Sequence, residues 1–477
     1  MRWNLQRAIG LVVLAVCLIA GGLIWLGISL SEPVEPHTEE GVLFGVWQVM
    51  YDTTAPTRLQ LAIAVAAALL LAAVVTIVES RIATRNRRTL DSTHKPLSPH
   101  VVMAETRGVF AGPVTITVLV PAHNEEASLP ETLRSLWAQS RPPDRVIVVA
   151  DNCTDATPEL AVTGGAEIFE TVDNDKKKAG GLNQVLRQVL PGLGDNDCVM
   201  IMDADTVLDD GFLEAADHRF TNDRGLMAVG GLFYGEEGHG FIGQCQRSEY
   251  VRYSRELKRL RGQVFVLTGT ASIFRPRGLR TVAASRGDSI PGVHGDVYDT
   301  LALTEDNELT IALKSLGALL VSPQECTVVT ELMPSWGTLW NQRLRWQRGA
   351  LENIGAYGVT RETFRYWAQQ IGIGYGVVAL FAYLLAMIVL ILATDTWVWF
   401  TFWLVIGFVF TLERVVTVWR GGWRARILAA LLLPELVYAL FLDLVYVRSI
   451  VDISLGRQAA WKHVEHQASE PATGGAS

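Results

Sequence analysis

The sequence predicts an α/β protein, a Rossmann-like and mainly parallel sheet, joined to an α-helical transmembrane region. Three observations predict it. Short apolar runs alternate with helical periods between residues 114 and 202. Polar, acid-rich clusters follow directly on those runs. Long uncharged apolar blocks flank the region on both sides. Of the 477 residues, 49% are hydrophobic and 19% charged, and the apolar excess is gathered in the blocks rather than spread through a swollen core.

The first block covers residues 8–30, behind Arg2 and Arg7 and ahead of Glu32, Glu35, Glu39 and Glu40. It is too long for the apolar part of a signal peptide, and a second block follows at 59–78. The second ends on Arg81, Arg85, Arg87 and Arg88. Basic flanks stay on the cytoplasmic side, so residues 1–84 read as an out-and-back hairpin of a plasma-membrane (inner-membrane) protein. The region 85–334 is then a cytoplasmic domain. Within it, 114–120 is a buried-strand run, and 126–139 is helical, with apolar positions Leu129, Leu133, Leu136 and Trp137. Strand 146–150, helix 155–162, strand 166–171, helix 182–190 and strand 198–202 follow. This alternation implies parallel pairing through right-handed crossovers, with ligands beyond the carboxyl ends of the strands.

Residues 335–366 read as interfacial amphipathic helices. Three more apolar blocks, 371–393, 397–418 and 427–447, fill a C-terminal transmembrane part, 367–450, and make the chain multi-pass in a lipid bilayer. Arg420, Arg424 and Arg426 place one connecting loop in the cytoplasm. Strict alternation puts the C-terminus outside, whereas Arg448, Arg457 and Lys462 of the end region point the other way. A polar tail, 451–477, closes the chain. Glu413, Glu435 and Asp443 lie in or near the apolar blocks. Charge at that depth faces a protein interior or a water path, so they are candidates for a polar lining. The competing reading is that Glu413 pairs with Arg414 at a span end.

Composition excludes some classes. A net charge of -8 does not suit a nucleic-acid partner. Cys17, Cys153, Cys198, Cys245 and Cys326 are scattered without metal-type spacing, which predicts reduced thiols and no structural zinc.

Five clusters carry chemistry. Pro121, His123, Asn124 and Glu125 close the first strand, and Asp151 closes the second. Either is also an ordinary turn and helix cap. Asp203 and Asp205 follow residues 198–202, where strand alternation points both carboxylates one way. Such a pair suits a hard divalent cation, Mg²⁺ or Mn²⁺, carrying a diphosphate. Thr304, Glu305 and Asp306 open a helical run. Acids there complement the helix dipole, or one of them acts as a general base. A single base suffices for direct in-line displacement, which makes the reaction inverting. Gln342, Arg345 and Trp346 share one helical face, where an amide, a guanidinium and an indole suit a diphosphate and a sugar ring.

In this order, these clusters resemble those of the processive family 2 glycosyltransferases, the cellulose, chitin, hyaluronan and poly-N-acetylglucosamine synthases. Lys178-Ala179-Gly180-Gly181-Leu182-Asn183, Thr268-Gly269-Thr270 and Thr330-Glu331 match further segments of that family. The resemblance covers roughly residues 114–353 and implies a GT-A-type domain. It implies that Pro121, His123, Asn124, Glu125, Asp151, Lys178 and Asp203 bind the nucleotide sugar. Asp205, with Asp203, would hold the metal. Asp306 would be the base, supported by Glu305, while Gln342 and Arg345 would contact the diphosphate. Trp346, Thr268, Gly269 and Thr270 would meet the acceptor. The turn after the second strand departs from the family pattern, and residues 286–300, with His294 and Asp296, match none of its motifs; they read as a gating or product-specific loop or, in preference, as a surface insertion.

The activity so implied is transfer from a UDP-sugar to a growing β-linked polysaccharide, coupled to export and open to accessory secretion subunits. One alternative is non-processive transfer to a lipid carrier or short oligosaccharide. Another is an inactive scaffold or export subunit, which the presence of Asp205, Asp306 and Trp346 opposes.

Overall fold

A computed structural model describes residues 38–43, 47–52, 97, 112–259, 262, 264–393 and 401–457. The apolar blocks at 8–30 and 59–78, Cys17 and the tail beyond 457 lie outside the described residues. Near the N-terminus, β1 (Thr38–Leu43) and β2 (Trp47–Asp52) pair antiparallel.

The α/β part begins with β3 (Thr115–Ala122), α1 (Leu129–Trp137), β4 (Arg145–Ala150), α2 (Thr157–Thr163) and β5 (Glu167–Glu170). Then come α3 (Lys177–Val189), β6 (Asp197–Met202), β7 (Thr206–Leu208), α4 (Phe212–Asn222), β8 (Leu226–Gly230) and β9 (Leu232–Gly235). Helix α5 (Gly240–Arg259), β10 (Ala271–Phe274), α6 (Pro276–Ser285), α7 (Glu305–Ser315), β11 (Leu319–Val321), β12 (Thr327–Thr330) and α8 (Trp336–Tyr357) complete it. Seven strands form one sheet in the order β11-β8-β10-β6-β3-β4-β5. Every pairing in it is parallel except those of β10, which runs antiparallel to both β6 and β8. A second sheet, β7-β12-β9, lies alongside in the topology.

The central strands form where the sequence places them because each is a mainly apolar run buried on both faces. Ile116, Val118, Leu119 and Val120 are fully buried, as are Val148, Val149, Met200 and Met202. One face packs against Leu182, Val185 and Leu186 of α3, the other against Leu129, Leu133 and Leu136 of α1. Helix α3 starts five residues before the expected 182. Gly180 and Gly181 lower helix propensity, but tertiary packing overrides it: a Cβ on Gly180 would lie 2.1 Å from Asn174 Oδ1. Cys153, Cys198, Cys245 and Cys326 are free thiols, as the spacing predicts.

The C-terminal helices are α9 (Phe364–Ala393), α10 (Thr401–Thr417), α11 (Gly422–Leu431) and α12 (Leu433–Ser454). Among the described residues, one stretch, Phe364–Val389, is long and apolar enough to cross a membrane; the pair 419–431 and Leu433–Ser454 adds a second only if it counts as one span. The single span expected at 427–447 is instead broken by an 85° bend. The break follows from Leu432, at φ 51°, and from Pro434 in the first turn of α12. Helix α12 lies alongside α8: Tyr446, Ile450 and Ile453 cluster with Leu351 and Ile354. Glu435 is spent on ion pairs to Arg252 of α5 and to Arg414, at 3.8 Å for the latter, which ties α12 inward rather than offering a free carboxylate. Glu413 lies 3.8 Å from Arg414.

Candidate active site

The polar clusters meet at the carboxyl edge of the large sheet. His123 Nδ1 lies 2.5 Å from the Asp151 carbonyl, which links the ends of β3 and β4. Asn124 and Asn152 both have left-handed φ, 59° and 51°, a conformation asparagine tolerates. Asn124 Oδ1 accepts from the Thr154 amide at 2.7 Å, and Glu125 Oε2 accepts from Ser128 Oγ at 2.7 Å. These two side chains therefore shape the strand-end turns, without capping either following helix. Asp151 Oδ1 collects Thr171 Oγ1 and Asn174 Nδ2, both at 2.8 Å, and Asn152 Nδ2 at 3.1 Å. Pro121 sits inside β3, directly beside its end.

Lys178, in the first turn of α3, is the hub of the charged cluster. Its Nζ lies 2.5 Å from Asp203 Oδ1 and 3.1 Å from Glu305 Oε1. Burial works against its charge, but Asp203 and Glu305 hold it firmly protonated. Burial pushes the Asp203 carboxyl up to about 6, with Lys178 pulling it down and Asp205 pushing it further up. Burial likewise acts on Glu305, yet Lys178 and Arg345 of α8 outweigh it and hold that carboxyl below its ordinary value. Asp306 goes the other way. Burial, reinforced by the adjacent Glu305 charge, pushes it up to about 6. Two neighbouring carboxyls are thus driven apart in acidity, the pattern that separates a base from its support.

The antiparallel strand β10 explains how Thr268, Gly269 and Thr270 join the site. Its start lies beside the carboxyl end of β6, and the Asp203 amide donates to the Thr270 carbonyl at 3.0 Å. The Gly269 amide donates to Asp306 Oδ2 at 3.0 Å, and the Asn307 amide to Oδ1 at 2.7 Å. A Cβ on Gly269 would press to 3.2 Å of Asp306 Oδ2. On α8, the buried Gln342 Oε1 has no hydrogen-bond partner in the protein. The Trp346 ring is covered on one face by the Arg343 guanidinium, 4.3 Å from its centroid. Arg343 also pairs with Glu249 at 3.0 Å, and Tyr438 of α12 donates to the same carboxylate at 2.7 Å.

Among the described residues, no group of three or more His, Cys, Asp or Glu side chains is arranged to hold a metal. Asp203 and Asp205 offer hard oxygen donors, and their mutual repulsion is what a cation relieves. Mg²⁺ and Mn²⁺ sites of this kind use one or two carboxylates and take the remaining positions from phosphate and water, so the pair fits a cation carried by a diphosphate.

Sequence reasoning missed a second ring of residues. Arg286, fully buried in the segment read as a surface insertion, donates to Glu308 at 2.5 and 2.8 Å. Asn183 exchanges two hydrogen bonds with the Tyr298 backbone, at 2.8 and 2.9 Å, and Arg187 pairs with Asp296. Residues 286–300 are therefore stitched to α3 and α7, and they deliver Tyr298 to a small cavity beside Lys178, Glu305 and Asp306. This corrects the surface-insertion reading. The pairing partners are distant in sequence and leave no periodic trace.

A mainly parallel sheet whose carboxyl edge gathers Asp203, Glu305 and Asp306 around Lys178 is a candidate group-transfer site. Residues 113–349 match the family described as Glycosyltransferase like family 2. The chain carries a glycosyltransferase family 2 domain. Over 244 residues it is 27% identical to a poly-beta-1,6-N-acetyl-D-glucosamine synthase of Staphylococcus aureus, covering 50% of this chain and 55% of that protein. The corresponding synthase of Staphylococcus epidermidis is 26% identical over the same length. The chain spans about half the length of the curated relatives it matches. Among solved structures, a mannosyltransferase of Pyrobaculum calidifontis in complex with GDP-Man and Mn²⁺ is similar at 18% identity and a TM-score of 0.47, over 83% of this chain and 97% of that one.

Proposed function

We propose that the protein is an inverting, membrane-embedded glycosyltransferase that moves sugar from a UDP-sugar to a β-linked polysaccharide extended on the cytoplasmic side and exported through its own helices. The observation that carries the reading is the state of Asp306. Its carboxyl is raised to about 6 and fixed by two backbone amides, next to Glu305, which Lys178 bridges to Asp203. A carboxylate near the working pH, immobile and opposite the donor-holding acids, suits a general base.

In the reaction, Asp306 takes the proton of the acceptor hydroxyl. The hydroxyl oxygen attacks the anomeric carbon as the bond to the diphosphate breaks, and the nucleoside diphosphate departs with the bonding electrons. Lys178 keeps Glu305 and Asp203 ionised and fixed. Gln342 and Arg345 face the departing diphosphate, and the open face of Trp346 receives the acceptor sugar against Thr268, Gly269 and Thr270. Asp203 and Asp205 would hold the divalent cation, which supplies neutralisation of the leaving diphosphate. N-acetylglucosamine is the favoured sugar, in keeping with the named activity of the staphylococcal relatives.

The test is purified protein in nanodiscs with Mg²⁺ or Mn²⁺, offered UDP-N-acetylglucosamine, UDP-glucose and UDP-glucuronate singly and in pairs. UDP release with a long, glycosidase-sensitive product supports the reading. Products of one or a few sugars favour transfer to a lipid or short primer. No release from folded protein with any donor refutes it.

A further inference from the structure

Gln342, Trp346, Gly349, Asn353 and Tyr357 follow one another on α8 at spacings of four, three, four and four. At about 100° per residue they fall within an arc of roughly 80°, a single stripe running the length of the helix. Its upper end carries the diphosphate and acceptor contacts of the proposed reaction. Its lower end grips the first turn of α7. Gly349 is bare because a Cβ there would lie 2.4 Å from Thr304 Oγ1. Asn353, 4% exposed, points its amide nitrogen at three acceptors, each 3.1 Å away: the Thr304 carbonyl, Thr304 Oγ1 and Asn307 Oδ1. Tyr357 donates to Glu308 Oε1 at 2.6 Å. Asp306 sits inside this clamped turn, between Thr304 and Asn307.

Thr304, the N-cap residue of α7, makes no side-chain cap of its own. Its hydroxyl accepts from Asn353 of α8 instead, and its carbonyl takes Asn353 as well as the intrahelical Glu308 amide. A helix start without a self-made cap frays readily, and fraying here would move the base.

We propose that Asn353 is a positioning residue for Asp306: through the α8 stripe it holds the base in register with the diphosphate and acceptor contacts. The inference rests on the assignment of Asp306 as the base. Asn353 touches no substrate. Its amide fixes the Thr304–Asn307 turn, and the turn fixes the carboxylate.

The experiment uses the full-length protein in nanodiscs, comparing wild type with Asn353→Ala, Asn353→Asp and Tyr357→Phe. Asn353→Asp keeps the shape and loses the donor. The expected result is a kcat lower by about 10- to 100-fold in both Asn353 variants, the scale of a small misplacement of a reacting group. KM for the UDP-sugar and Kd for UDP stay within about 2-fold of wild type, because the nucleotide contacts lie elsewhere. Backbone hydrogen exchange in residues 304–308 rises in both, and to a smaller extent in Tyr357→Phe. Unchanged kcat together with unchanged exchange overturns the proposal. So does a loss of UDP affinity in step with kcat, which would mark general disruption. The exchange arm needs no turnover, so it decides the positioning even where no donor is used and the proposed reaction itself fails.

Discussion

Replacing Arg286 by methionine should destabilise the catalytic domain heavily, and the structure sets the scale. The Arg286 side chain is 0% exposed and its partner Glu308 2%. Besides the two bonds to Glu308, Arg286 donates to the Pro291 carbonyl at 2.7 Å and twice to the Val297 carbonyl, at 2.5 and 3.2 Å. Methionine fills much of the volume and offers no donor. Glu308 would keep only the Tyr357 hydroxyl for a buried charge. Breaking one side of a buried pair costs about 3–5 kcal/mol. For a domain of this size each kcal/mol is worth roughly 2–4 °C, so the midpoint should fall by on the order of 10 °C. A thiol-reactive dye reads this directly, since Cys198, Cys245 and Cys326 are buried free thiols that become reactive on unfolding. Adding Glu308→Gln to the methionine variant removes the stranded charge and should recover a large part of the loss. A methionine variant melting within about 3 °C of wild type, or a double variant whose losses simply add, would refute the reasoning.

Asp306→Asn should abolish transfer and leave UDP affinity nearly unchanged in a calorimetric titration; retained turnover removes it as the base. Because burial pushes both Asp306 and Asp203 up to about 6, their ionised forms are lost together as pH falls, so kcat/KM should be level above about 7 and drop by more than tenfold per unit below about 5. A flat profile from pH 4.5 to 7.5 would contradict this. Asp205→Ala should weaken UDP binding in Mn²⁺ far more than in chelator, and equal loss in both would speak against its metal role.

The strands, the helices between them and the strand-end clusters were legible because each is written locally. Residues 116–122 are apolar but for the buried Thr117, and Asp203 and Asp205 follow their strand at once. Gln342, Arg345 and Trp346 were legible because helical spacing is fixed. The part of α8 below them was not read, although Gly349, Asn353 and Tyr357 continue the same spacing; their partners, Thr304, Asn307 and Glu308, lie up to 49 residues away. The antiparallel course of β10 was equally hidden, since four buried residues carry no direction. At 427–447 hydropathy overrode a local signal that was present, for Pro434 marks a helix start.

The packing of α12 on α8 bears on where this enzyme can be cut. Hydropathy suggests trimming the chain at the end of α8 to obtain a soluble catalytic fragment. Such a fragment would lose the cover over Leu339, Leu351 and Ile354, all fully buried against the C-terminal helices. It would also lose Tyr438 from the Glu249 carboxylate that anchors Arg343 beneath Trp346. Its freshly bared apolar flank would invite aggregation. A workable fragment retains residues through Arg457, whose carbonyl accepts from Arg348 of α8 at 2.5 Å. The last apolar helix is part of the structure that holds α8 in place.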